Sequence, residues 1–167
     1  MNKRSADAVK KMIIDWLNAE RFKSKEVPDQ NAHFNIVAFI SDLGFNIIQA
    51  RDKEDSVFIG TNLNFTPQQI SLFEGMNKAK KQSYFWALRM RLLNSPNLGT
   101  FEIKPKAPKE IDSIFISSKP IFYDGLTKDR LFCVLFDVHK AVMMTIWLLE
   151  EMSGATSTSS MPSTYVT

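Results

Sequence analysis

The sequence predicts an α+β fold: a five-stranded, mainly antiparallel sheet packed by helices, in the element order α-βββ-αα-ββ-α. Three observations carry that reading. Residues 33–63 alternate in polarity and are interrupted only by very short polar connections, which suit neighbouring antiparallel strands. Phe65, Thr66, Pro67 and Gln69 then spell the start of a helix. Finally, residues 131–149 are apolar at nearly every position, so the helix they form must be surrounded. Asp137, His139 and Lys140 sit in its middle and would be expensive in a bilayer, so burial inside a protein or a dimer seam is the better account.

In chain order, the first element is a helix over residues 5–22, where Val9, Met12, Ile13, Trp16 and Leu17 share one stripe and the other face is charged. Residues 23–34 contain Pro28 and polar turn formers and read as the connection into the sheet. The first strand, residues 33–41, places Phe34, Ile36, Ala38 and Ile40 on one side and Asn35, Val37 and Phe39 on the other. A turn at Asp42, Leu43 and Gly44 leads to strands over residues 45–51 and 56–63, joined by Asp52, Lys53, Glu54 and Asp55.

Thr66 is the N-cap of the next helix, Pro67 its first residue and Gln69 the second half of a capping box, while Phe65 staples onto Ile70. That helix fails near Gly75, and another runs over residues 78–94, ending before Pro96. Strands over residues 100–104 and 114–122 follow, separated by a loop with Pro105 and Pro108; Pro105 and Pro120 mark strand ends or an edge. Thr127 caps the closing helix, with Asp129 in its first turn where the helix dipole favours a negative charge.

The chain of 167 residues suits a single domain, expected over residues 1–153. Residues 154–167, rich in Ser and Thr with no apolar period, are expected to form a disordered tail. A net charge of +3 is too small to imply a nucleic-acid partner. The single cysteine, Cys133, excludes an internal disulfide, and the first residues lack the apolar run of a signal peptide, so the cytoplasm is the expected location.

Four segments, EVPDQNAHF, YFWALRMRLL, DGLTKDRLF and VHKAVMMTIWLL, together resemble an uncharacterised, mostly archaeal family known as a domain of unknown function, over roughly residues 9–152. The resemblance implies a sheet with helices packed on it and pairing of two copies, and carries no catalytic residue with it. The element order also resembles that of type III secretion chaperones, small α+β dimers that bind extended segments of client proteins. That likeness is one of topology, which does not confer function.

No enzymatic constellation emerges, and no cofactor or metal is expected. Cys133 and His139 invite a nucleophilic pair, but at ~3.6 residues per turn they diverge by about 120° around their helix. His139 aligns with Phe132, Leu135, Val142 and Ile146 as a core or interface histidine, and Cys133 reads as a small buried apolar residue. Asp52, Glu54 and Asp55 cluster, yet Arg51 and Lys53 sit among them, so a solvated turn is the better account than calcium. The glycines are isolated and form no phosphate-binding loop. Thr127, Lys128 and Arg130 are candidates for an anion at a helix N-terminus, against the plainer account of a capped turn.

Two functional classes remain. The first is a non-enzymatic protein-interaction or chaperone-like module acting as a homodimer, with Val134, Val138, Ala141, Val142, Thr145 and Trp147 as interface candidates and an unidentified protein client as a further partner. The second is a binder of nucleic acid or another polyanion through Lys78, Lys80, Lys81, Arg89 and Arg91. Tyr84, Phe85 and Trp86 are interleaved there and read as core residues, leaving the cations as a solvated face.

Overall fold

The computed structural model describes residues 5–104 and 111–153, and these form four helices and seven strands. They run α1 (Ala6–Ala19), β1 (Ser24–Glu26), β2 (Ala32–Ile40), β3 (Leu43–Ala50), β4 (Ser56–Asn64), α2 (Pro67–Glu74), α3 (Lys78–Leu93), β5 (Leu98–Lys104), β6 (Ser113–Ser118), β7 (Ile121–Phe122) and α4 (Lys128–Ser153). The α+β class and the antiparallel pairing are those expected. The tail over residues 154–167 lies outside the described residues.

The sheet has seven strands, not five, in the order β1-β2-β3-β4-β6-β5 with β7 also on β4. One added strand comes from the supposed connection after α1. Ser5 caps α1 by accepting from the Ala8 N–H. At its other end Arg21 takes φ 59 and the Phe22 N–H reaches back to Leu17 O at 2.9 Å, the closed ending that reverses a chain at a helix C-terminus. The reversal lays Ser24, Lys25 and Glu26 against Ala38, Val37 and Ile36. Three residues are too few for alternation to announce a strand.

The other added strand arises by division. Residues 114–122 were expected as one strand, and β6 and β7 do both lie along β4, but Ser117 pairs with Gly60 while Ile121 pairs with Val57. One extra residue is therefore accommodated between them at Lys119–Pro120, a bulge. Pro120 has no N–H to donate, and the Ile59 N–H opposite donates instead to Ser118 Oγ at 2.9 Å.

The β2–β3 hairpin turns one residue earlier than expected. Ser41 and Asp42 form a two-residue loop with φ 48 and 67, the positive values a type I′ turn needs, and Leu43 and Gly44 already belong to β3. At β5, Gly99 is required by close approach: a Cβ there would sit 2.6 Å from Ser118 O.

Directly paired residues point to the same side of an antiparallel sheet, so register sorts the two faces. Phe34, Ile36, Ala38, Phe45, Ile47 and Ile59 share one face and one core cluster with the inward residues of all four helices. α4 crosses that face over β4 and β6, flanked by α2 and α3, while α1 lies over β1 and β2. By length and composition α4 could cross a membrane, yet 56% of its most apolar window is buried within this chain, as in the core helix of a globular domain.

Candidate functional site

The residues singled out for chemistry do not converge. Cys133 is exposed, contrary to the expectation of burial, because it falls on the arc of α4 opposite Leu131, Leu135 and Val138; its described neighbour is Asn97 Nδ2 at 4.0 Å. His139 is half-buried with its ring edge-on to Phe45, centroids 5.8 Å apart. Burial holds its pKa below the usual 6.5, since desolvation disfavours the charged form. Thiol and imidazole therefore face different surroundings.

The helix turn before α4 is occupied by its own caps. Thr127 Oγ1 accepts from the Arg130 N–H at 3.2 Å, Asp124 Oδ1 accepts from the Gly125 N–H, and Lys128 pairs with Glu20 Oε1 at the end of α1. Thr127 and Lys128 are thus spoken for, and Arg130 is exposed. Among the described residues no three His, Cys, Asp or Glu side chains come together as a metal site. Two open depressions, one between Arg21 and Asp42 and one between Ser71 and Lys80, contain no catalytic pairing.

Two buried tyrosines serve packing. Tyr84 stacks edge-on with Phe73 and Phe85 and donates to Thr145 O at 3.5 Å. Tyr123 donates to Gln49 Oε1, and desolvation followed by the nearby Asp55 charge pushes its pKa up to about 12. Asn35 and Asn62 keep side-chain oxygens without a partner, but Asn35 pairs with Ile48 and Asn62 with Phe115, so they do not share a site.

The interface candidates need the largest correction. Val134, Val138, Ala141, Val142 and Thr145 are all buried within this one chain. At about 100° per residue they share the arc of α4 that rests on the sheet and on α3. Only Trp147 of the six is exposed, at 61%. The outward arc of α4 carries Trp147 with Phe136, Lys140 and Cys133.

α3 supplies what periodicity alone did not sort. Tyr84, Phe85, Leu88 and Leu92 point inward, the two aromatics as expected, but Trp86, expected in the core with them, is 67% exposed because it lies on the opposite side of the helix, as do Leu93 at 70% and Met90 at 40%. These three recur at i, i+4 and i+7, a second apolar stripe on the helix's outer side. The spacing was visible in the sequence, but which stripe faces the core was not.

The five basic residues of α3 do not form one cluster. Lys78 and Arg89 fall on one flank of the outer stripe and Lys80 and Arg91 on the other, at about 100° per residue. Lys81 turns toward the core, its Nζ 5.0 Å from the Phe73 ring centre. α3 contains no acidic residue, so the outer side is an apolar crest between two basic rails.

No curated protein matches the chain. Among solved structures, an uncharacterized protein from Methanothermobacter thermautotrophicus is similar, with a TM-score of 0.78 and 29% identity over 85% of this chain and 96% of that one. YbjN from E. coli, at a TM-score of 0.40 and 8% identity over 85% of this chain and 90% of that one, is too distant to carry an argument. Residues 9–149 match the model of a family described as "Uncharacterized conserved protein (DUF2299)".

Proposed function

The chain belongs to that uncharacterized conserved family, and on this footing we propose that it is a non-enzymatic protein-interaction module working as a homodimer. The observation that carries the reading is the outer surface of α3 and α4, two helices that pack side by side. Trp86, Met90 and Leu93 on one and Phe136 and Trp147 on the other hold their side chains in solvent. Together they leave on the order of 500 Å² of apolar surface exposed, near the upper end of what a monomer tolerates. A standard interface takes about 800 Å² from each partner, roughly 65% of it apolar in homodimers, so this surface is the right size for a second copy.

The scattered titratable groups support the non-enzymatic half of the reading. Sedimentation at micromolar concentration tests the other half: a species of twice the 19.1 kDa chain mass is expected, and a monomer overturns it. Trp86→Gln, at an exposed position, should leave the circular dichroism unchanged while weakening the dimer at least tenfold, as removal of a buried aromatic anchor does.

Polyanion binding is the second reading, favoured by the exposure of Lys78, Lys80, Arg89 and Arg91 on a helix without acids. Their division between two flanks supports it less well than a single basic face would. Retention on heparin at low salt, lost in Lys80→Ala, is the outcome it requires.

A further inference from the structure

We propose that the two copies meet in a crossed seam, with α3 of each lying on the outer face of α4 of the other, and with Lys78 of one copy beside Glu151 of its mate. This rests on the homodimer reading and adds its geometry and charge pairing. The first ground is like-charge exclusion. α3 presents Lys78, Lys80, Arg89 and Arg91 around its crest and has no acidic residue, so α3 laid on a second α3 would bring cations against cations with nothing to neutralise them. The outer face of α4 carries Phe136 and Trp147 with exposed Glu151 and Asp129 toward its two ends. Its central Lys140 is already 3.6 Å from Asp137.

The second ground is direction. Tyr84 reaches Thr145, and Asn97, just past the end of α3, reaches Asp137, so within one chain the two helices run antiparallel at a known level. A twofold axis parallel to both helices, lying outside the chain above the line midway between them, preserves level and lays α3 of the mate over α4 and α4 of the mate over α3. It places α3 of the mate over α4 in the same register as in the chain itself. Counting outward from Tyr84 opposite Thr145, Lys78 comes level with Glu151, Trp86 with Met143, Trp147 with Gln82, and Leu93 with Phe136. The arrangement is isologous, so every contact occurs twice, and the outer stripe of α3 lies along the outer arc of α4.

Charge reversal tests it. Lys78→Glu puts an acid at a helix N-terminus and Glu151→Lys puts a base near a helix C-terminus, positions the helix dipole welcomes, so neither change should unfold the chain. Each single variant should raise the dimer dissociation constant about tenfold at low salt, less at high salt, because the pair occurs twice. The double variant Lys78→Glu with Glu151→Lys should return to within about threefold of the parent. Single variants without effect, a double variant no better than the singles, or a tighter dimer in Lys78→Glu alone would overturn the crossed seam, the last by showing that α3 packs on α3. A parent protein that sediments as a monomer would instead overturn the homodimer reading beneath it.

Discussion

Val138→Ala separates a core residue from a seam residue, and the structure says core. Val138 is fully buried within one chain, on the arc of α4 that rests on the sheet. Removing two methyl groups loses about 0.8 kcal/mol each in transfer free energy, and the void left behind adds to that, giving about 2–3 kcal/mol. For a domain of this size the melting temperature should fall by roughly 5–10 °C. Urea unfolding followed by tryptophan fluorescence should show a lower midpoint with an unchanged slope, since the surface exposed on unfolding is the same. The difference between variant and parent should be the same in dilute and concentrated protein. A dimer seam would behave otherwise, because truncation there weakens association and its effect varies with concentration. A loss below about 0.5 kcal/mol, or one that changes on dilution, would refute the placement of Val138 in the monomer core.

Two further outcomes follow from local geometry. Ser41→Asn combined with Asp42→Gly fits the positive φ values of 48 and 67 and should stabilise the chain by about 1 kcal/mol, read as a higher denaturant midpoint; destabilisation would mean that the loop is not of the type assigned. His139 titrates below its ordinary 6.5 in the folded state, so between those two values the unfolded chain binds more protons than the folded one. Stability from this group is complete above 6.5 and is lost as pH falls through the lowered value. His139→Gln should therefore flatten part of the decline in stability as pH falls below about 6.5, and an unchanged decline would show that the imidazole is not desolvated.

The elements whose signals are local were legible in the sequence. Thr66 and Gln69 satisfy each other's backbone donors as the capping box requires, and Val9, Ile13 and Leu17 all reach the core from one helical stripe. β1 was missed because three residues carry no period and its pairing depends on the chain reversal at Arg21. The split of the last strand was half visible in Pro120. The bulge itself depends on the Ile59 N–H finding Ser118 Oγ across the sheet.

The candidate surface was harder to read, for one physical reason. Helical periodicity reports which residues share a face and is silent on what that face meets. α3 has two apolar stripes and α4 is apolar around most of its girth, so composition established that something must cover them without saying what. Only the packing of α4 between the sheet, α2 and α3 showed that Val134, Val138, Ala141, Val142 and Thr145 are already covered. The same packing left Trp86, Met90, Leu93, Phe136 and Trp147 outside. The sequence by itself determined the α+β class, the helix caps and the two-sided greasiness of the last helices, because these depend on neighbours in the chain. Tertiary structure alone decided which greasy side meets water, because that depends on what else the fold brings alongside.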